Sequence, residues 1–149
     1  MAIEQDIQQT KFKNVYQKLL VNLVFTCNWH HNGHLHTFKP YKLTPQEYNV
    51  LRILRGNTPN TLRINEIVKR VLDRMSNISR LVDGLAKKGL VVRKPNDTDR
   101  RSVDVALTPK GLELVNKLDS IIETEEQKFS TLTEAEAQQL NDLLDKLRG

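Results

Sequence analysis

The residues of this sequence best suited to contacting another molecule are charged and lie at a predicted turn. In NDTDRRSVDVALTPKG, residues 96–111, Asp97, Asp99, Arg100 and Arg101 occupy the tip of a predicted hairpin. Asp99 and Arg101 are two apart in an extended segment, so their side chains share one side. The carboxylate can hold the guanidinium in one rotamer and aim it outward, which suits the narrow minor groove of DNA. The alternative is an ion pair that only stabilises the hairpin.

The basic charge of the chain is concentrated around this stretch. The chain has 149 residues and a formal net charge of +5. Residues 61–111 hold 12 basic and 6 acidic side chains, whereas residues 112–149 hold 4 basic and 9 acidic ones. A basic segment beside an acidic one indicates a polyanion-binding surface on a scaffold. A solvated basic surface without a partner is the alternative.

Two helices joined by about two residues are predicted before the hairpin. Asn65 is predicted to cap the first, residues 66–72, and Asp73 the second, which continues to about Lys88 and stops at Gly89. The second helix has one apolar side, predicted to be buried: Met75, Ile78, Leu81, Val82 and Leu85. Its opposite side is polar: Ser76, Asn77, Arg80, Asp83 and Lys87.

Further helices and strands are predicted on either side. Periodicity predicts a first helix from about residue 10 towards His36. The next helix is predicted to begin at a capping box, with Thr44 as N-cap, Pro45 at the first helical position and Glu47 at the third. Gly56 is predicted to end this helix, and Leu43 is placed to pack on Tyr48. Residues 61–64 are predicted to be extended, and two strands are predicted at residues 90–94 and 102–107. Two C-terminal helices follow: one starts at Thr108-Pro109 and runs past Gln127, and the other follows a capping box at residues 132–136.

The order helix, turn, second helix, basic hairpin describes a winged helix-turn-helix, and the sequence resembles the MarR family of bacterial transcriptional regulators. The resemblance is carried by DRRSVDVALTPKG, by SNISRLVDGLAKKGLVVRKP before it and by LTPQEYNVLRIL upstream. The fold expected is mainly α with a small β-hairpin. Residues 41–111 would form the DNA-binding region, and residues 1–40 and 112–149 the helical dimerisation region. The apolar terminal helices are expected to be buried in a homodimer, with a self-folded bundle as the alternative.

The resemblance implies roles for individual residues at double-stranded DNA. The second helix of the pair would be the recognition helix, the one that enters the major groove. Its residues Ser76, Asn77, Ser79 and Arg80 would face bases and phosphates, and Arg74 would add a phosphate contact. Arg101 would enter the minor groove, and Asp99 would hold its side chain in position. Arg93, Lys94 and Arg100 would support them at phosphates. For Ser76 the alternative is support of the first helical turn, and for Arg80 and Lys87 it is an ordinary solvated face.

Cys27 and a histidine pair raise the question of a sensed signal. Cys27 has no nearby basic residue in sequence that would make its thiol reactive, so a buried small hydrophobic role is preferred to redox sensing. His30 and His34 are four apart on one helix face, but no acidic residue lies between Asp6 and Glu47, so no metal site is predicted. Relatives of this family often release DNA when a small phenolic or other lipophilic molecule binds, which makes such an effector a partner implied by the resemblance.

The sequence therefore predicts a sequence-specific DNA-binding regulator, expected to be a homodimeric repressor acting on a pseudo-palindromic operator. No cofactor is predicted, and neither is an enzyme, because the chain has no nucleophile elbow, Gly-rich phosphate loop or HExxH pattern. The alternative is a winged-helix module that binds proteins without sequence-specific DNA binding. Cytoplasmic location is expected, because the N-terminal residues lack the pattern of a secretory signal and a single cysteine fits a reducing compartment. No membrane contact is expected, because no apolar run approaches the ~18 residues that span a bilayer.

Overall fold

The computed structural model describes residues 2–96 and 102–149. It divides into two compact units, Met1–Asn49 and Val50–Gly149. The predicted hairpin tip, with Asp97, Asp99, Arg100 and Arg101, lies outside the described residues, so what was predicted for it stays a prediction.

The first unit is built on one long helix. A short helix α1, Ile3–Asp6, precedes α2, Val15–Phe38, and a 3-10 turn, Lys39–Tyr41, follows. The Asn14 side chain accepts a hydrogen bond from the Gln17 N–H at 2.9 Å, so α2 begins at residue 15 rather than near residue 10. Lys18 of α2 forms a salt bridge at 2.6 Å to Glu4, and this contact holds the pKa of Glu4 below its ordinary value. The sequence did not predict α1.

Helix α3, Pro45–Arg55, begins as predicted and continues from the first unit into the second. The Thr44 N–H donates to the Glu47 carboxylate at 2.9 Å, and the Glu47 N–H donates to the Thr44 hydroxyl at 3.1 Å. These two bonds confirm the capping box. Leu43 and Tyr48 are both buried, as the predicted contact between them requires. The Gly56 N–H donates to the Arg52 carbonyl at 3.0 Å, directly after the end of α3.

The second unit contains the remaining helices and one antiparallel sheet. Its elements, in chain order, are β1 Leu62–Arg63, α4 Ile64–Arg70, α5 Ile78–Lys87, β2 Val91–Pro95, β3 Val103–Leu107, α6 Pro109–Glu126, a 3-10 turn Gln127–Thr131 and α7 Glu134–Arg148. The sheet order is β1-β3-β2. In its register, Val105 of β3 faces Leu62 on one side and Arg93 on the other. The predicted extended piece is thus the third strand of the sheet.

The core of the second unit is formed by apolar residues of α3, α4, α5, the sheet and α6. Its fully or nearly fully buried members include Leu51, Leu54, Ile67, Val82, Leu85, Val105, Val115 and Leu118. Asp119 of α6 forms salt bridges with Arg55 and, at 3.8 Å, with Arg52 of α3. These ion pairs join α6 to the C-terminal half of α3.

The last helix starts at the predicted capping box but leaves its apolar side uncovered. Thr133 accepts the Glu136 N–H, and Glu136 accepts the Thr133 N–H at 2.8 Å, a bond that lowers the pKa of Glu136. Leu140, Leu143 and Leu147 of α7 are all exposed. Apolar side chains of α2 are likewise exposed, among them Val15, Leu20 and Val24. Across the described residues, no helix combines the length and hydropathy required to cross a bilayer.

Candidate nucleic-acid interface

The helix-turn-helix is present, but its turn is longer than the sequence predicted. Helix α4 ends at Arg70 and α5 begins at Ile78, so residues 71–77 connect them rather than about two residues. The N-cap of α5 is Asn77, whose side chain accepts a hydrogen bond from the Arg80 N–H at 3.1 Å. The prediction that Asp73 caps this helix was wrong. The prediction that Asn65 caps α4 was also wrong, because the N-cap of α4 is Arg63.

Asp73 instead organises the turn. Its carboxylate accepts the Met75 N–H at 3.0 Å and the Ser76 hydroxyl at 2.7 Å, while its carbonyl accepts the Ser76 N–H at 3.2 Å. Aspartate favours such local hydrogen bonds in turns as strongly as it favours N-caps, which is why the sequence pattern misplaced the helix start. Arg74 and Ser76 therefore lie on this turn and precede the recognition helix α5.

The structure groups five of the predicted DNA-facing residues at the start of α5. Arg74 and Ser76 are on the turn, Asn77 is the cap, and Ser79 and Arg80 occupy the first helical turn. All but the half-buried Ser76 are exposed. The other side of α5 is buried through Ile78, Val82 and Leu85.

Met75 was predicted to be a core residue, and this prediction was wrong. Its side chain is 93% exposed, and that of Leu72 is 87% exposed. Because α5 begins only at Ile78, position 75 is not on the buried face of that helix. Met75 is thus an exposed apolar residue, two positions before the N-cap of the recognition helix, that sequence reasoning assigned to the wrong environment.

The hairpin, defined as β2 and β3, follows α5 in the chain. At its base it is hydrogen-bonded to the residues that end α5. The Thr108 N–H donates to the Leu90 carbonyl at 3.1 Å, and the Thr108 hydroxyl donates to the Gly89 carbonyl at 2.8 Å. That same hydroxyl accepts the Gly111 N–H at 3.0 Å and so caps α6 as predicted. Lys110 donates to the Lys88 carbonyl at 3.1 Å. The TPKG segment therefore joins the hairpin and α6 to the end of α5.

Gly111 is required at this junction for a reason of space. A Cβ atom at position 111 would lie 2.0 Å from the Leu90 carbonyl oxygen and 2.9 Å from its carbon. Gly89 ends α5 with φ +72°, a left-handed conformation that favours glycine.

Two of the three basic residues predicted as supporting phosphate contacts, Arg93 and Lys94, occupy different positions on the hairpin. Arg93 forms a salt bridge with Asp83 of α5, and the two side chains are 36% and 48% exposed. Lys94 is the register partner of Asp104, whose two carboxylate oxygens each accept a hydrogen bond from the Asn96 side-chain amide at 3.0 Å. Asp99, Arg100 and Arg101 lie outside the described part of the chain.

The candidate sensing residues are separate from this surface in sequence and lie on α2. Cys27 is exposed, so its predicted burial was wrong for the single chain. The rings of His30 and His34 are 4.1 Å apart between centroids. Within residues 2–96 and 102–149, no group of three or more His, Cys, Asp or Glu side chains could hold a metal ion.

Comparison with known proteins agrees with this arrangement. The family model described as "MarR family" matches residues 41–102. The HTH-type transcriptional regulator MhqR of Bacillus subtilis (strain 168) is 32% identical over 126 residues, which cover 82% of this chain and 81% of MhqR. The chain belongs to the MarR family. As a MarR-family protein it is a DNA-binding helix-turn-helix transcriptional regulator, and the family is not one of enzymes.

Solved MarR structures have the same fold. The MarR transcription factor from Planctomyces limnophilus superposes with a TM-score of 0.69 at 30% identity, covering 91% of this chain and 98% of that one. MepR of S. aureus, in a crystal structure of its DNA complex, superposes with a TM-score of 0.79 at 24% identity, covering 92% of this chain and 97% of that one. The mainly helical fold with a small antiparallel sheet is thus confirmed as that of the winged MarR proteins.

Proposed function

We propose that this protein is a homodimeric repressor that binds a pseudo-palindromic operator in double-stranded DNA. The observation that carries the proposal is the start of α5, where Arg74, Asn77, Ser79 and Arg80 form one exposed polar and basic surface. In helix-turn-helix proteins the N-terminal residues of the second helix contact base edges in the major groove. MepR, a protein of the same fold, has been solved in complex with DNA, which supports DNA as the partner.

Dimerisation is proposed through the terminal helices, residues 1–40 and 112–149, with residues 41–111 as the DNA-binding region. Within α2, Val15, Leu20 and Val24 are exposed, and within α7 the same holds for three leucines that include Leu143. Exposed apolar side chains repeated along a helix indicate a protein contact, since a monomer gains nothing from exposing them. A two-fold dimer presents two recognition helices to half-sites one helical turn apart.

In the proposed complex the residues divide into those that contact bases and those that contact phosphates. Ser76, Asn77, Ser79 and Arg80 face the major groove. Phosphates are contacted by Arg74, Lys94 and Arg100. Arg101, oriented by Asp99, enters the minor groove, where the negative potential is concentrated. Phosphate contacts set affinity and its dependence on salt, whereas base contacts set the sequence preference.

Release from DNA is proposed to follow binding of a small lipophilic or phenolic effector. Such a molecule shifts the population towards a dimer whose recognition helices no longer match successive major grooves, about 34 Å apart. The shift can be no larger than the difference in the effector's affinity for the two forms.

The test of the proposed function is selection of bound duplexes from a random DNA library by the purified full chain at two salt concentrations. We expect a pseudo-palindrome whose half-sites are centred about 10 base pairs apart. Enrichment of no sequence, with only weak salt-sensitive binding, would contradict the proposal and favour a winged-helix module that binds proteins.

Met75 yields a prediction about sequence preference within this proposal. The thymine methyl is the main apolar group that bases present in the major groove, and an exposed methionine next to the recognition helix is suited to contact it. Replacing operator thymines one at a time by deoxyuridine removes only that methyl group. At one thymine per half-site we expect about fourfold weaker binding per methyl, from ~0.8 kcal/mol for a buried CH₂-sized group.

The control for this prediction is the Met75→Ala variant, measured by the same equilibrium titration. It should bind thymine and deoxyuridine duplexes equally at the position that Met75 contacts. Equal sensitivity of the wild type and Met75→Ala to every thymine would show that Met75 contacts no methyl group.

A further inference from the structure

We propose that Asp83 and Arg93 form a positioning pair that fixes the angle between the hairpin and the recognition helix α5, and that Arg93 is not itself a DNA contact. The inference rests on the proposed function. It assigns to Arg93 a role different from the phosphate contact predicted from the sequence.

The register of the sheet separates Arg93 from its neighbour Lys94. Successive residues of a strand point to opposite faces, so these two side chains cannot serve the same surface. Arg93 is the register partner of Val105, which is fully buried. It is also two residues after buried Val91, so the two side chains lie on the same face of the strand. It therefore lies on the face of the sheet that is turned to the core and to α5. Lys94, on the other face, is the exposed basic residue available for phosphate.

Two attachments at different distances from the base are needed to fix an angle. The first is at the base, where Thr108 binds the carbonyls of Gly89 and Leu90. The second is the salt bridge of Asp83 with Arg93. Arg93 is three residues along the chain from Leu90, about 10 Å at ~3.3 Å per strand residue. Asp83 is five residues before Lys88, about 7.5 Å along the helix axis. The salt bridge adds an attachment to α5 beyond the base, beside the pairing of β3 with β1 and the burial of Val91 and Val105.

The pair also removes an unfavourable charge from the recognition helix. Asp83 is three residues after Arg80 and four after Ser79, so it lies on the same side of α5 as these proposed DNA-facing residues. An unpaired carboxylate there would repel phosphate. Arg93 neutralises it without entering the groove.

The test is a comparison of Asp83→Asn, Arg93→Gln and the charge-swapped double variant Asp83→Arg/Arg93→Asp in the full-length protein. For each variant, affinity is measured for the selected operator and for a random duplex. We expect each single substitution to lower the operator-to-random affinity ratio about fivefold, the factor that ~1 kcal/mol from an exposed ion pair represents. The swapped variant, which keeps the pair, should return to within about twofold of the wild-type ratio.

Lys94→Gln is the matched control, because it removes a neighbouring charge from the same strand. As a phosphate-contact variant it should weaken binding to both duplexes equally and reduce the salt dependence by about one ion. If Arg93→Gln behaves in the same way and the swapped variant does not recover, Arg93 is a phosphate contact and the inference is overturned. Unchanged ratios in both single variants would overturn it as well.

Failure of the proposed function has a different outcome. A wild-type protein without preference for any duplex would refute the repressor and the positioning pair together. Thermal unfolding of each variant checks that it remains folded, and where one single variant unfolds early the inference is decided by the other single variant together with the swapped variant.

Discussion

Replacing Gly111 with alanine is expected to destabilise the protein by about 3 kcal/mol or more, near the upper end of the effects of overpacking. The new Cβ would lie 2.0 Å from the Leu90 carbonyl oxygen. That oxygen accepts the Thr108 N–H, so it cannot move away without breaking the bond at the base of the hairpin. The clash is with backbone, which a rotamer change cannot relieve. Urea unfolding followed by circular dichroism at a fixed protomer concentration measures the effect.

Gly56→Ala is the matched control for this substitution. A Cβ at position 56 meets only the Arg52 and Ile53 carbonyl oxygens, both at an ordinary 3.7 Å. The variant should match the wild type or gain up to about 1 kcal/mol, because alanine restricts the unfolded chain. If Gly111→Ala were as stable as Gly56→Ala, the close approach of α6 to Leu90 would not exist in solution.

Replacing Arg101 with alanine is expected to weaken binding to the selected operator by about 10- to 100-fold, while the protein stays folded. Arg101 lies outside the described residues, and the expectation comes from its place beside Asp99 in the sequence. An arginine inserted into a narrow minor groove interacts with a concentrated negative potential, so its loss costs more than that of a single exposed phosphate contact. Fluorescence anisotropy with the operator duplex measures the change.

Two further variants separate the minor-groove role from a general loss of charge. Arg101→Lys keeps the charge but not the planar guanidinium, and it should recover only part of the affinity. Lys87→Ala removes a charge from the exposed side of α5 and should weaken operator and random duplexes equally. Wild-type affinity in Arg101→Ala would refute the minor-groove contact.

The features that the sequence predicted correctly depend on interactions between residues close together in the sequence. The caps at Thr44, Thr108 and Thr133 each need only one side chain and an N–H three residues ahead. The two hairpin strands follow from apolar alternation and were misplaced by one residue at most. Family membership could also be inferred, because the order of these local elements is specific.

The start of the recognition helix was not predicted correctly, although it too is capped locally. Asp73 and Asn77 are both suitable caps, and the sequence does not rank them. With Asp73 as the cap, the sequence predicts Met75 in the core and a turn of about two residues. In the folded protein Asp73 holds the turn, Asn77 caps α5, and Met75 is exposed. The choice depends on where α5 can bury Ile78 and Val82, which is a property of the whole unit.

The sequence by itself therefore determined the types and order of the helices and strands after α1, the caps at Thr44, Thr108 and Thr133, the basic character of residues 61–111 and the family. The tertiary structure decided which polar residues face each other: Arg93 with Asp83 across helix and strand, and Asp119 with Arg55 and Arg52 between helices. It also decided why position 111 must be glycine, since the obstructing atom belongs to Leu90, distant in sequence. Local hydrogen bonds act over three or four residues and can be recognised in a sequence, whereas contacts between distant segments depend on how the core brings them together.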